Sequence, residues 1–161
     1  MHIHILTTGG TIDKVYFDAK SDYQIGSPVI ERLLNEMDVS FDYAIHSLMR
    51  VDSLDMTDEH RQMLADAIKA LPAGARVLVT HGTDTMALSA TYLGTLTDKT
   101  VVFTGALQPA AFRDSDAIFN IGCALGALQA ASPGAYLAMN GRLFKAGEVV
   151  KNLSANRFEP L

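Results

Sequence analysis

The stretch RVLVTHGTDT, residues 76–85, decides the fold because a short apolar run passes directly into glycine and polar residues. Its first five residues, Arg76–Thr80, are almost uninterruptedly apolar, which is typical of a strand covered on both faces of a parallel sheet. The next segment has helical spacing and predicts a helix over 84–95. The stretch therefore predicts a strand, a turn and a helix, the unit of a parallel α/β sheet.

The same alternation of short strands and longer helices continues on both sides of this stretch. The pattern predicts strands over 3–7, 43–48, 76–80, 100–104 and 135–139. It predicts helices over 28–37, 57–71, 84–95 and 115–131. After a long polar loop, Ser27 and Pro28 are predicted to begin the first of these helices as N-cap and first-turn proline. Asn140 and Gly141 predict a hairpin turn that leads into residues 142–151.

These elements predict one architecture. Each connection between strands is long enough for one helix, and such crossovers are right-handed. We therefore expect an α/β fold, a three-layer sandwich with a mostly parallel sheet and a C-terminal β-hairpin, in a single domain over 1–161. Ligands bind beyond the carboxyl ends of the strands in sheets of this kind, so the functional site is expected there.

Composition narrows the classes of function. The 161 residues are 48% apolar, and 13 Lys and Arg against 18 Asp and Glu leave a net charge of -5. This balance argues against nucleic-acid binding, which needs a basic face to release phosphate counterions. The single cysteine, Cys123, forms no internal disulfide, and the N-terminus lacks the basic start and long apolar stretch of a signal peptide. A cytoplasmic protein without membrane contact is therefore expected.

Four loops leave the carboxyl edge of the predicted sheet, and they are rich in hydroxyl groups, carboxylates and glycine. They lie at 7–11, 52–56, 81–85 and 105–109. Glycines let backbone N–H groups approach a ligand, and threonine or serine hydroxyls act as nucleophiles or donors. The loops therefore suit a small polar substrate better than a bulky apolar one.

Two other kinds of site have little support. Gly9 and Gly10 belong to no GxGxxG or GxxxxGK[ST] motif, and no amphipathic helix follows them, which argues against a phosphate site. His2 and His4 lie on the same side of the first strand, but no HxxxH or HExxH spacing accompanies them. No metal site is therefore expected.

A hydroxyl nucleophile needs a general base, because threonine ionises far above neutral pH. The candidate bases are Lys14, Asp52, Asp55, His81, Asp84 and Lys151. Spacing alone leaves simpler interpretations open. Thr83 and Asp84 also fit the N-cap and first-turn acid of a helix, and Lys151 also fits an exposed surface lysine.

Together the motifs resemble the L-asparaginase family of the bacterial, two-threonine type. The resemblance rests on TGGTI at 8–12, the SDY segment at 21–23, DSLDM at 52–56, THGTDTM at 80–86 and the region of Lys151. It extends over nearly the whole chain and follows the family's N-terminal domain. The resemblance implies hydrolysis of the side-chain amide of asparagine to aspartate and ammonia.

The resemblance also implies roles for individual residues. Thr11 is expected to be the flexible-loop nucleophile, and Tyr23 the residue that orients it. Thr83, Asp84 and Lys151 are expected to form a second catalytic group, in which the lysine and the aspartate polarise the threonine hydroxyl. A set of substrate-binding residues is implied as well: Gly10, Asp52, Ser53, Gly82, Thr83 and Asp84.

Within that set, Ser53 is expected to bind the substrate α-carboxylate and Asp84 the ammonium group. Backbone N–H groups near Gly10 and Thr83 are the expected oxyanion donors. The implied reaction passes through an acyl-enzyme and needs no metal or organic cofactor. The expected partners are L-asparagine and further copies of the chain, as a dimer or tetramer.

Two alternative functions stay open. The same site is compatible with glutamine or with an amidated partner, as in the related transamidosome subunits. A non-catalytic module that binds asparagine or aspartate is the other alternative, although such a module has no need for a second activated hydroxyl.

The sequence also departs from the family pattern. Leu54 stands where many relatives have a polar residue near the substrate amine, Gln108 where arginine is common, and Ala117 where glycine is usual. Family members continue into a second domain that reaches a neighbouring active site, whereas Leu161 comes ten residues after Lys151. A short form completed by homo-oligomerisation is expected, with weak substrate binding or a truncated chain as alternatives.

Overall fold

The computed structural model describes residues 1–161. Its strands are β1 (His2–Thr7), β2 (Lys14–Phe17), β3 (Asp22–Ile25), β4 (Asp42–Ser47), β5 (Arg76–Thr80), β6 (Thr100–Thr104), β7 (Gly134–Met139), β8 (Arg142–Lys145), β9 (Val149–Asn152) and β10 (Arg157–Pro160). Its helices are α1 (Ile30–Glu36), α2 (Asp58–Ala70), α3 (Met86–Tyr92) and α4 (Ala117–Ala130). Short 3₁₀ turns lie at Thr11–Asp13, Asp18–Lys20 and Ser53–Asp55.

Six strands form the central sheet, in the order β4-β1-β5-β6-β7-β8. The first five are parallel, and β8 runs antiparallel to β7. The five predicted strands agree with β1, β4, β5, β6 and β7 to within one residue at each end. The predicted three-layer α/β fold with a mostly parallel sheet is confirmed.

The two faces of the sheet belong to separate apolar clusters. Helices α1 and α4 pack on the face that includes Leu78 of β5, and α2 and α3 pack on the face that includes Val79. Neither side chain is exposed to solvent. Successive strand residues point to opposite faces, so a strand covered on both sides is apolar at nearly every position. This burial explains why the run in Arg76–Thr80 is uninterrupted.

The start of α1 differs from the prediction. The helix begins at Ile30 rather than at residue 28, and Ser27 makes no capping hydrogen bond. The Val29 N–H donates instead to the Asp13 carboxylate at 2.9 Å. A side chain from a distant segment thus satisfies a donor at the start of this helix, in place of the local serine.

Residues 14–25, predicted as part of a long polar loop, form an antiparallel hairpin of β2 and β3. Its aromatic side chains contact each other rather than the sheet, with the rings of Tyr16 and Tyr23 5.4 Å apart. Ser21, with φ of 49°, lies at the tip. The prediction was wrong here because a strand pair without a buried face lacks the alternation by which strands are recognised.

The predicted hairpin turn at Asn140 and Gly141 joins β7 to β8, and both residues have positive φ, 54° and 75°. Residues 142–151 are not one continuous arm, however. After β8 the chain leaves the central sheet, and β9 pairs with β10 in a separate two-stranded sheet. The β9 strand packs against α3, which places Lys151 beside the turn that precedes this helix.

The site lies where the winding of the sheet reverses. The chain runs from β1 outward to β4 and then returns across β1 to β5, and ligand crevices in open α/β sheets lie at such switch points. The turns after β1 and β5 touch there, because a Cβ atom on Gly10 would lie 2.5 Å from the Cα of Gly82. Gly10 also has φ of 96°. The contact brings the next residues, Thr11 and Thr83, to the same crevice.

Alanine at Gly10 is expected to destabilise the protein more than alanine at Gly74. Both glycines have positive φ, 96° and 80°, but a Cβ on Gly74 would meet no atom within 4 Å. Gly74→Ala is therefore expected to lower the free energy of unfolding by about 1–2 kcal/mol, through backbone strain alone. Gly10→Ala adds overlap with backbone and is expected to lose about 1–3 kcal/mol more in urea unfolding. Equal losses would show that the Gly10 turn relaxes without cost.

Asp13, in the 3₁₀ turn that contains Thr11, carries a buried carboxyl group with 2% exposure. Its Oδ1 accepts from the Val29 N–H, and its backbone oxygen accepts from the Gly26 N–H at 2.7 Å, but its Oδ2 has no partner. Burial raises the pKa of Asp13 to about 6, although the Val29 N–H and the charge of Arg50 lower it. At neutral pH the protein therefore buries a carboxylate, which costs stability.

The variant Asp13→Asn is expected to gain stability relative to the native chain as the pH rises. The folded-state pKa of about 6 lies above the unfolded value of 3.8. The native chain is therefore most favoured below the unfolded value and loses about 3 kcal/mol as the pH rises through the folded one. An amide keeps an acceptor for the Val29 N–H and has no such loss.

Urea unfolding of both proteins between about pH 4 and pH 8 measures this effect. The difference in unfolding free energy is expected to grow up to about pH 6 and then to level off. Titration of other groups is common to both proteins and cancels in the difference. A difference that does not change with pH contradicts the prediction.

Candidate active site

Three side chains from two distant segments meet at the carboxyl edge of the sheet. The Lys151 Nζ donates to the Thr83 Oγ1 at 2.8 Å and lies 2.6 Å from the Asp84 Oδ1. Thr83 and Asp84 belong to the turn after β5, and Lys151 belongs to β9, with a side chain only 12% exposed. A partly buried charged donor polarises the hydroxyl it contacts, and the Nζ is close enough to exchange a proton with it.

This geometry excludes the simpler interpretations of these residues. The α3 helix begins at Met86 with Thr85 at its N-cap position, so Thr83 is not the N-cap and Asp84 is not in the first turn. The helix starts two residues later than predicted, and Thr83 and Asp84, which lie before it, both contact Lys151. Lys151 is likewise not an exposed surface lysine.

Ser53 lies directly against the same turn and is buried. Its Oγ accepts from the Asp84 N–H at 3.2 Å, and its backbone oxygen accepts from the Thr85 hydroxyl at 2.8 Å. A Cβ on Gly82 would lie 2.6 Å from the Ser53 Oγ. The loop that precedes α2 and the turn that follows β5 therefore pack as one unit.

Thr11 stands on the other side of the crevice. Its side chain is partly exposed, and its hydroxyl makes no hydrogen bond within the chain. The backbone N–H groups of Gly10, Gly82 and Thr83 also donate to no other group of the protein. Unpaired donors beside two threonine hydroxyls can stabilise an oxygen atom that gains negative charge.

Tyr23 lies on the β2–β3 hairpin, outside this group of contacts. Its ring packs edge-on against Tyr16 and against Phe112, with centroids 5.4 and 5.9 Å apart. Its hydroxyl makes no hydrogen bond to Thr11, so the orienting role of Tyr23 stays a prediction. The tyrosine is 44% exposed, as part of an aromatic cluster at the rim of the site.

Asp52 and Lys14, both considered above for direct roles, bind each other. The Lys14 Nζ lies 2.7 Å from the Asp52 Oδ2, and the Asp52 Oδ1 accepts from the Leu54 N–H at 3.1 Å. The hydrogen bond from Lys14 holds the pKa of Asp52 below its ordinary value. Lys14 is therefore not a free general base. Leu54, the next residue after Ser53, is 74% exposed at the opening of the site.

His81 is not the general base either. It has no solvent exposure, and its ring nitrogens lie 2.7 Å from the Gly82 oxygen and 2.8 Å from the Ser89 Oγ. Burial lowers the pKa of His81 to about 4, although the Gly82 oxygen raises it. The histidine is therefore neutral at physiological pH, and its contact with the Gly82 oxygen holds the turn after β5. Asp55, the remaining candidate, is exposed and forms no side-chain hydrogen bond or ion pair.

A network of polar side chains at the start of α4 holds the fourth loop, residues 105–109. The Asp116 carboxylate accepts from the Leu107 N–H at 3.0 Å and from the Gln108 N–H at 3.1 Å. Asn120 donates to Asp116 at 2.7 Å and to the Gly105 oxygen at 3.0 Å. Asp116 and Asn120 are four positions apart at the start of α4, a spacing that places both on one side of the helix. Asp13 had no signal, because only the folded chain buries it.

The protein contains no group of three or more histidine, cysteine, aspartate or glutamate side chains arranged to hold a metal ion. None of its helices combines the length and the apolar composition that crossing a membrane requires.

Comparisons with known proteins find relatives along nearly the whole chain. Residues 2–159 match the family model described as "Asparaginase, N-terminal". The chain is 31% identical over 160 residues to a probable periplasmic L-asparaginase of Haemophilus influenzae, covering 93% of this chain and 46% of that protein. It is 32% identical over 144 residues to a subunit of the glutamyl-tRNA(Gln) amidotransferase of Haloquadratum walsbyi, covering 86% of this chain and 33% of that protein.

Among solved structures, a probable cytoplasmic L-asparaginase from Campylobacter jejuni matches with a TM-score of 0.79 and 32% identity. The match covers 99% of this chain and 51% of that one. The chain thus spans about half or less of the length of these relatives. A family model that extends over nearly every residue, together with relatives above 30% identity, establishes that this chain belongs to the asparaginase family.

Proposed function

We propose that the chain hydrolyses the side-chain amide of L-asparagine to aspartate and ammonia. The observation that carries the proposal is the contact of Lys151 with both Thr83 and Asp84, across the crevice from Thr11. A binding module has no need for a partly buried lysine on a hydroxyl group, whereas amide hydrolysis needs a proton-transfer group beside a hydroxyl, and this pair supplies one.

In the proposed mechanism, the Thr11 oxygen attacks the amide carbon and forms a tetrahedral intermediate. The C–N bond then breaks, ammonia leaves with the proton from the Thr11 hydroxyl, and an acyl-enzyme remains. Water attacks the ester carbon, which returns the proton to Thr11 and releases aspartate. Thr83, polarised by Lys151 and Asp84, exchanges protons with the leaving nitrogen and with the water.

Substrate binding in this proposal uses groups that line the crevice. The Ser53 hydroxyl, which already accepts from the Asp84 N–H, donates to the substrate α-carboxylate. Asp84, 34% exposed at its side chain, binds the substrate ammonium group with its outer oxygen. The free N–H groups of Gly10, Gly82 and Thr83 stabilise the oxyanion. All these groups lie within residues 1–161, which we propose to act as one catalytic domain.

Another amide substrate is the second candidate. Relatives of this chain include a glutaminase-asparaginase and subunits of glutamyl-tRNA(Gln) amidotransferases. The side chain of the exposed Leu54 has no hydrogen-bonding group, so it cannot distinguish asparagine from a longer amide substrate by a hydrogen bond. For location we propose the cytoplasm, as for the Campylobacter jejuni relative, whereas the Haemophilus influenzae relative is named periplasmic.

Ammonia release by the purified chain tests the proposed function. The native protein is expected to release ammonia from asparagine faster than from glutamine. Thr11→Ala, Thr83→Val and Lys151→Met are each expected to reduce the rate about 10²- to 10⁴-fold, because each removes a nucleophile or a proton-transfer group. Thr91→Ala, at an exposed hydroxyl on α3, is the matched control and is expected to retain the native rate.

The outcomes separate the candidate functions. A higher rate with glutamine favours the second amide substrate. Binding of asparagine by calorimetry, without ammonia release above the level of the variants, identifies a binding module and contradicts the hydrolase.

We also propose that the chain forms a homo-oligomer, a dimer or a tetramer. Four aromatic side chains at the rim of the site are at least 42% exposed, which is typical of a surface that a partner covers: Tyr16, Phe17, Tyr23 and Phe112. Light scattering coupled to gel filtration is expected to give two or four times the mass of one chain. A monomer with full activity would contradict a site shared between copies.

A further inference from the structure

We propose that Lys14 and Asp52 are positioning residues, whose ion pair holds the segment that carries Thr11 against the loop that carries Ser53. The proposal rests on the proposed function, because its purpose is to place a nucleophile opposite a bound substrate. It also gives Asp52 a different role from the direct contact with substrate that the family resemblance implies.

Both carboxylate oxygens of Asp52 already bind groups of the protein. Its Oδ2 lies 2.7 Å from the Lys14 Nζ, and its Oδ1 accepts from the Leu54 N–H at 3.1 Å. The two side chains are 28% and 27% exposed, so they are partly shielded from water. Both oxygens are therefore engaged by the protein itself, in a fixed orientation.

The pair joins two segments that are far apart in sequence and adjacent in the site. Lys14 is the first residue of β2 and follows Thr11 by three positions, and Asp52 immediately precedes Ser53. The two segments already contact each other before Thr11 and before Asp52, where the Val51 N–H donates to the Thr8 oxygen at 3.0 Å. The ion pair adds a contact three residues beyond Thr11, where β2 of the hairpin begins.

Other contacts fix the same segment from the opposite side. The Ile12 oxygen accepts from the Ala110 N–H at 3.1 Å, and Asp13 accepts from Gly26 and Val29. These contacts tie the segment to its own hairpin, to α1 and to the fourth loop, and none of them reaches Ser53. Thr8 and Gly10 hold the chain near the Ser53 loop before Thr11, and beyond Thr11 the Lys14–Asp52 ion pair is the side-chain contact that reaches this loop.

The chemistry predicts which kinetic constant the pair controls. Ser53 is held by Asp84 and Thr85 without help from Lys14, so loss of the pair leaves the substrate-binding loop in place. The segment that carries Thr11 loses its contact with the Ser53 loop beyond Thr11, and a small displacement of a nucleophile reduces the rate of attack strongly. The expected effect is therefore on kcat rather than on KM.

The test compares four variants in the ammonia assay. Lys14→Met and Asp52→Asn remove the ion pair, and the asparagine still accepts from the Leu54 N–H. Lys14→Arg keeps the charge. Lys20→Met is the matched control, because Lys20 lies on the same hairpin, is exposed and forms no ion pair.

We expect Lys14→Met and Asp52→Asn to lower kcat by about tenfold to a hundredfold with KM within about twofold of native. Lys14→Arg is expected to restore at least about half of the native kcat, since its guanidinium also pairs with a carboxylate. Lys20→Met is expected to match the native protein. A native kcat in Lys14→Met overturns the proposal, and so does a tenfold rise in KM at unchanged kcat.

Hydrogen exchange provides a readout that does not depend on activity. Backbone N–H groups over residues 11–25 are expected to exchange at least about fivefold faster in Lys14→Met than in Lys20→Met, because the segment opens more often. If the native chain releases no ammonia, the proposed function fails, and exchange alone decides whether the pair holds the segment. Equal exchange in the two variants overturns the proposal in either case.

Discussion

The close approach of Gly10 to Gly82 is the constraint on which the site depends. Two adjacent parallel strands, β1 and β5, direct their turns to the same edge, and the turns touch because neither glycine has a side chain to separate them. Ser53 then packs against Gly82, so three loops lie on one another at the switch point. A larger residue at any of these contacts would widen the crevice between Thr11 and Thr83.

The titratable groups around this crevice differ in how deeply they are buried, and burial changes their charge state. Lys151 and Asp84 face each other at its wall, where a partly buried ion pair can polarise a hydroxyl. Beneath the turns, burial leaves His81 neutral and raises the pKa of Asp13. The deep groups therefore support the loops, and the group at the wall is the one suited to chemistry on a ligand.

Much of the fold could be predicted from sequence because burial leaves a local pattern. The five parallel strands of the central sheet were predicted to within a residue, since short apolar runs between helical segments are typical of buried parallel strands. The β2–β3 hairpin was missed because it buries no face of its own. The contact of Lys151 with Thr83 was implied by family resemblance, whereas spacing favoured an exposed lysine.

The sequence by itself determined the order of the five parallel strands and four helices, and the glycines and hydroxyls at the carboxyl edge of the sheet, because these depend on local periodicity and on residue type. Only the tertiary structure decided which of those residues meet. Lys151 reaches Thr83 because β9 leaves the central sheet and packs on α3, and Asp52 pairs with Lys14 rather than staying free. Contacts between residues far apart in the chain depend on how whole elements pack, and no local pattern records that packing.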